Sequence, residues 1–267
     1  MDLGLSDRVA LVTGSHRGTG SAIARTLARE GARVLVHGFE PGQPEPIAES
    51  IRAQGFHAEA VTGDIVSDAG ADALIDQIEA GPGHVDILVN NYGSAEGGDW
   101  MATSTTEWIG IYQKNVLSGV RLVQAFAPGM KERGFGRIIW LGTVGSTRPG
   151  NRMPHYYASK AALPNICVSL AKELAGSGVT VNLVSPGIIA TAEVKESFLR
   201  RAERRGWGSD WETVQRKAAG EMLANPAGRF AETDEVADLV AFVASERAGY
   251  INATNLRIDG GASDCAL

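Results

Sequence analysis

The chain has 267 residues, enough to bury one large core, and lengths in this range often make a single α/β domain. With 25 basic against 31 acidic residues, a net charge of −6 and no long run of either sign, it has no electrostatic footprint for a phosphate backbone, so nucleic acid is not an expected partner. Two cysteines, Cys167 and Cys265, are too few for a disulfide framework, no metal-ligand spacing stands out, and no apolar stretch reaches transmembrane length; with an N-terminus that lacks a secretory pattern, a cytoplasmic protein without metal or membrane partner is expected.

Along the chain, short apolar or β-branched runs alternate with longer segments of helical period, the signature of βαβ units feeding a parallel sheet. A first strand at 9–12 runs into Thr13-Gly14-Ser15-His16-Arg17-Gly18-Thr19-Gly20 and a helix at about 18–30. Glycines at 14, 18 and 20 let the backbone turn tightly against a pyrophosphate, which the free N–H groups at a helix start attract. A second strand at 33–36 ends in His37-Gly38-Phe39-Glu40, and a turn-rich stretch leads to a helix at 44–54. Strands follow at 57–61, 85–89, 137–141, 179–184 and 255–258, with helices at 69–80, 103–132, 155–176 and 233–245. The runs 87–89 and 138–141 are apolar without alternation and belong at the sheet centre. The segment 191–228 breaks the alternation with charged helical stretches at 198–205 and 212–221 around Gly206-Trp207-Gly208, and it reads as a substrate lid. Trp207 and Trp211 suit either a pocket lining or packing anchors. The pattern predicts a doubly wound, seven-stranded parallel sheet of Rossmann-like type, one domain over 1–267.

An acid at the end of the second strand usually holds the adenosine ribose, and a basic residue nearby accommodates a 2′-phosphate. Here the usual acid is missing and Arg17 stands in the glycine loop, which favours NADP(H); a late-placed Glu40 keeps NAD(H) open.

The glycine motif, Asp64 after the third strand, Asn90-Asn91-Tyr92-Gly93 after the fourth, Asn115 within a helix, Tyr156-Tyr157-Ala158-Ser159-Lys160, and Pro186-Gly187-Ile188-Ile189-Ala190-Thr191 occur in an order and spacing that resembles the short-chain dehydrogenase/reductase family, compact type, over about 6–261. Within that family the overall resemblance is to 3-oxoacyl carrier reductases, with a polyol, sugar or polyketide-type alcohol as the main competing substrate. The resemblance implies that Asp64 contacts adenine, that Asn90 supports the central strand, that Pro186, Gly187, Ile189 and Thr191 hold the nicotinamide amide, and that Asn115 helps hold a water linked to Lys160. It also implies a homotetramer or a dimer. Tyr92 stands where the family has alanine, which predicts a tighter space beside the cofactor. Thr143 takes the place of the family's serine, keeping the hydroxyl but adding a methyl group.

A carbonyl reductase needs a proton donor at the substrate oxygen, and an ordinary tyrosine at about 10 titrates too high for easy turnover. Lys160 lies four residues after Tyr156, on the same helical face, so its charge is expected to lower the phenol. Tyr156 is therefore the expected general acid in reduction and base in oxidation, with Lys160 tuning it and, as the resemblance implies, binding the nicotinamide ribose. Thr143 orients the substrate oxygen. Ser146 reads as a turn residue, and His16, His84 and His155 read as exposed loop or cap residues without carboxylate partners. A small carbonyl or alcohol is the expected substrate; a non-catalytic dinucleotide sensor or partner subunit is the alternative. A basic patch for a carrier protein is poor, because Glu132 and Glu173 interrupt Lys131, Arg133 and Lys172.

Overall fold

Strands covered on both faces need apolar residues at every position, and the first does so: β1 (Val9–Val12) is buried throughout in the computed structural model, which describes residues 2–222 and 224–263. Its side chains alternate between two cores. Ala10 and Val12 join Ile23 and Leu27 of α1 (Gly18–Arg29), Ile51 of α2 (Glu45–Arg52) and Val240 of α10 (Thr233–Ala244) on one face. Val9 and Leu11 join Leu74 of α3 (Asp68–Ala80), Leu122 of α5 (Ser118–Arg133) and Leu163 of α7 (Leu163–Glu173) on the other. Helices therefore cover both sides of one sheet.

The sheet has the seven parallel strands that the alternation predicts, in the order β3-β2-β1-β4-β5-β6-β7. β2 is Arg33–Gly38, β3 is Ala58–Thr62, β4 is Ile87–Asn90, β5 is Gly136–Leu141, β6 is Val179–Pro186 and β7 is Asn255–Ile258. The chain builds outward from β1 to β3, then crosses back to place β4 beside β1. Brought together at that reversal are the carboxyl ends of β1 and β4, where open α/β sheets bind ligands.

Two long helices of the sequence pattern are each divided. The stretch 103–132 becomes α4 (Thr105–Tyr112), a π-helical turn at Gln113–Leu117 and α5. Such an insertion places one extra residue in the turn and marks functional sites more often than chance. The stretch 155–176 becomes α6 (Pro154–Ala161) and α7, because Pro164 has no N–H to give the carbonyl of Lys160.

Beyond β6 lie α8 (Ala192–Arg205) and α9 (Trp211–Met222), each capped at its start by a neighbouring side chain: Thr191 accepts from Val194 N, and Asp210 from Thr213 N. They bring their own small core around Ala218, Ala219 and Phe230, against which Phe198, Trp207 and Trp211 pack. Trp211 meets the Phe230 ring edge-on, so both tryptophans are packing anchors. Cys167 is free and buried, its thiol pushed up to about 12, which makes it inert; Cys265 lies outside the described residues.

Candidate active site

The glycine turn follows β1 directly. Gly14 and Gly18 adopt left-handed backbone, with φ of 61° and 55°, where a side chain would be strained. At Gly20 the constraint is space: a Cβ would lie 2.5 Å from Asn91 Nδ2 and 2.6 Å from Gly14 O. Asn91 is the residue that fastens this turn, its Nδ2 donating to Thr13 O at 2.8 Å. Asn90, the residue singled out from the sequence, is buried in the strand end with neither Nδ2 nor Oδ1 hydrogen-bonded among the described residues.

His37 is a second residue the sequence pattern did not mark. It is wholly buried at the end of β2; its Nδ1 accepts from Gly14 N at 3.0 Å and its Nε2 faces Gly63 O, also at 3.0 Å. Only the neutral ring with the proton on Nε2 satisfies both contacts. Burial lowers its pKa to about 4. In the unfolded chain the ring takes its proton near 6.5, so between that pH and 4 the unfolded state binds more protons and stability falls as pH falls. The full effect is worth about 3 kcal/mol. Thermal melts from pH 7 to 4 should show this loss, and His37→Asn, which retains an acceptor but cannot titrate, should show a shallower one. Equal pH slopes in the two proteins would remove His37 from the account.

Around this turn, Arg17 pairs with Glu193 at 3.2 Å, both side chains more than half exposed. Asp64 is exposed and its Oδ1 accepts from Val66 N at 3.1 Å. Tyr92 tilts against Phe39 with ring centroids 4.6 Å apart, and a Cβ at Gly14 would lie 3.5 Å from its Cδ2, so the ring that alanine lacks fills space beside the turn.

The other half of the site comes from β5, α6 and the π-helical turn. Thr143, just past β5, caps the short turn Val144–Ser146 by accepting from Gly145 N at 3.2 Å, and its hydroxyl faces the Tyr156 phenol closely enough to favour the ionised form of that group. Tyr156 and Lys160, one turn apart on α6, line a single cavity of about 170 Å³ together with Thr19, Gly93, Pro186 and Ile189. Lys160 Nζ donates to Leu141 O at 2.8 Å. A Cβ on Gly93 would lie 2.9 Å from that ammonium and 2.8 Å from Asn115 Oδ1. Asn115 clamps the loop after β4 to α6: Oδ1 accepts from Ser94 N at 2.7 Å, and Nδ2 donates to Ser94 O at 3.0 Å and to Ser159 Oγ at 2.9 Å. The π-helical turn sets the side chain at this junction.

Electrostatics depart from the sequence expectation. Burial pushes the Tyr156 phenol above its ordinary value, the Thr143 hydroxyl draws it partly back, and Lys160 is not among the groups that lower it. Burial lowers Lys160 itself to about 8. Desolvation of both groups outweighs the charge effect that their spacing alone suggests.

Two histidines also differ from expectation. His155 is buried, its ring 6.0 Å from that of Trp108, and His84 Nε2 lies 3.3 Å from the Asp86 carboxylate. Ser146 is a turn residue as expected, its hydroxyl donating to Thr143 O at 2.8 Å. Gly187 N donates to Ile258 O at 3.0 Å, and Thr191 closes the opposite rim, its methyl 3.8 Å from where a Cβ on Gly18 would lie.

A nicotinamide dinucleotide fits these features on three counts: a turn where side chains are excluded at three glycines, a helix start facing it, and the unpartnered amide of Asn90 beneath it. The fold and the site together define a nicotinamide-dependent oxidoreductase. Residues 14–263 match the family model described as enoyl-(acyl carrier protein) reductase. The chain is 38% identical over 261 residues to the 3-oxoacyl-(acyl-carrier-protein) reductase of Haemophilus influenzae, covering 96% of this chain and 98% of that one. Its fold superposes with a TM-score of 0.93 on L-sorbose reductase from Gluconobacter frateurii complexed with NADPH and L-sorbose, at 32% identity and over 99% of this chain and all of that one. With a 3-oxoacyl (acyl-carrier-protein) reductase from Agrobacterium tumefaciens with NADP bound the TM-score is 0.85, at 33% identity over 97% and 96% of the two chains. The chain belongs to the short-chain dehydrogenase/reductase family.

Proposed function

We propose that this protein is an NADP(H)-dependent carbonyl reductase acting on a small ketone, or on the secondary alcohol in reverse, with Tyr156 exchanging the proton at the substrate oxygen. The observation that carries this is the phenol of Tyr156 beside the Thr143 hydroxyl, in one cavity with the Lys160 ammonium and with Thr19 of the glycine turn. The nicotinamide, when bound, gives or takes the hydride at the carbonyl carbon. Thr143 accepts from or donates to the substrate oxygen and orients it, while Tyr156 delivers its proton to that oxygen in reduction. Lys160 holds a positive charge at the cavity wall and binds the nicotinamide ribose; Asn115 holds the wall in place through Ser94 and Ser159. Gly14, Gly18 and Gly20 cradle the pyrophosphate, Asp64 and Asn90 meet the adenine and the strand end, and Pro186, Gly187, Ile189 and Thr191 receive the nicotinamide amide.

NADP(H) is favoured by the cofactors in the two related structures and by the end of β2, which offers a neutral His37 and Phe39 in place of a carboxylate. Arg17, held only by an exposed pair with Glu193, exchanges it for a 2′-phosphate at small cost. The segment carrying α8 and α9, with its separate small core, acts as the substrate lid. Homotetrameric assembly in the cytoplasm belongs to the same reading; apolar side chains left exposed on α4, Ile109 and Tyr112, and on α7, Val168, support an assembly surface. Among the described residues no helix is long and apolar enough to cross a membrane.

The test is NADPH consumption with a panel of ketones beside a cofactor-binding titration, repeated with NADH and with Thr143→Ser. Turnover with a higher kcat/KM for NADPH than for NADH is expected. Cofactor binding without turnover on any ketone, unaltered in Thr143→Ser, would favour a non-catalytic sensor.

A further inference from the structure

A second cavity, larger than the catalytic one, lies outside it, and its wall is cationic. About 470 Å³ in volume, it is lined by Arg152, Ser197, Phe198, Arg201, Arg204 and Arg205, with no carboxylate among the described residues that line it. Five of these come from α8 at positions 197, 198, 201, 204 and 205, a single helical stripe. Arg152 comes from the loop that leads into α6, four residues before Tyr156. The Cα atoms of Arg152 and Tyr156 are therefore no more than about 15 Å apart, by the spacing of consecutive Cα atoms.

This clustering is costly in the folded chain, because like charges three and four residues apart on a helix repel. Acids relieve only part of it. Arg205 pairs with Glu221 at 2.6 Å, and Arg200, behind the stripe, pairs with Glu196. Arg152 and Arg204 have no ion pair or hydrogen bond among the described residues. The helix dipole favours Arg204 and Arg205 in the last turn of α8, but it does not account for Arg152, which another segment brings to the same cavity. Nor does composition, since the chain is net acidic.

We propose that this cavity is an anion subsite of the substrate-binding region, so that the preferred substrate carries a carboxylate or phosphate several bonds from the carbonyl that Tyr156 protonates. The inference rests on the proposed carbonyl reductase reading. Arginine forks match the oxygens of either anion in pairs, and Ser197 adds a hydroxyl donor at the rim. The chain between carbonyl and anion runs from the catalytic cavity past Arg152. It draws α8 against the α6 loop, which gives the lid segment its reason to close.

Two measurements on the whole protein test it. The first compares kcat/KM for a medium-chain oxo acid, its methyl ester and the phosphate monoester of the matching keto alcohol, in the wild type and in a double variant, Arg152→Gln with Arg204→Gln. The wild type is expected to prefer an anionic substrate over the ester by about tenfold, mostly through KM, as charge-assisted hydrogen bonds predict. In the double variant the ratio should collapse toward one, and which anion shows the larger ratio distinguishes carboxylate from phosphate. The second is calorimetric titration with glutarate and with inorganic phosphate, which needs no turnover. Binding that the double variant loses supports the subsite even if no ketone is reduced, in which case the carbonyl reductase reading alone fails. Turnover with equal preference for ester and anion in both proteins, or no binding of either anion by the wild type, overturns the subsite alone.

Discussion

Tyr156→Phe is expected to lower kcat by about a thousandfold while NADPH affinity, read by fluorescence titration, stays within about twofold, a size typical of removing a positioned acid. The substitution removes one oxygen and nothing else from the cavity wall. In reduction the hydride arriving at carbon leaves negative charge on the carbonyl oxygen, and the phenol is the group placed to neutralise it. Because burial raises the phenol above its ordinary value, it is fully protonated at neutral pH and always ready as an acid. The same shift makes it a poor base, so alcohol oxidation by the wild type should climb with pH over a range where reduction does not. Near-normal kcat in Tyr156→Phe would remove the phenol from the mechanism and leave Thr143 as the next hydroxyl to test.

The sheet was legible because its central strands announce themselves. In β1, β4 and β5 every residue is buried, as the unbroken apolar runs at 9–12, 87–89 and 138–141 lead one to expect of strands covered by helices on both faces. Helix interruptions were less so. Pro164 was a local signal that the long pattern at 155–176 concealed, whereas the π-helical turn at Asn115 has no local signature and is fixed by what the side chain reaches, Ser94 and Ser159. In the site, the spacing of Tyr156 and Lys160 gave their shared cavity, since four residues on a helix is a geometric statement. Their ionisation was not legible, because it depends on desolvation by elements distant in sequence, and burial reversed the expected direction for the phenol. His37 and Asn91 escaped for the same reason: one reads as a strand residue and the other as the second of an Asn pair, until β1, β2 and β4 bring both against Gly14. Arg152 and the arginines of α8 are nearly fifty residues apart in sequence, and only the fold closes them around one cavity.

Lys160→Met separates a functional charge from a structural one, because activity and stability should move in opposite directions. Holding an ammonium in this wall lowers its pKa from the usual value to about 8, a penalty of roughly 3 kcal/mol at neutral pH. The methionine escapes that penalty but leaves Leu141 O without its donor, which returns about 1–2 kcal/mol. The melting temperature should therefore rise by a few degrees, while kcat/KM falls by about two to three orders of magnitude as the site loses its fixed positive charge. The pH dependence carries the same signature. In the wild type Lys160 loses its proton as pH passes 8, so kcat/KM for NADPH, which reports the cofactor-free protein, should decline above that value while Tyr156 remains protonated. Over pH 8 to 10.5 the unfolded lysine binds more protons than the folded one, so wild-type stability should rise as activity falls. Lys160→Met should show neither limb. A melting temperature below that of the wild type would mark the lysine as part of the scaffold through Leu141, and an unchanged decline above pH 8 would assign that titration to another group.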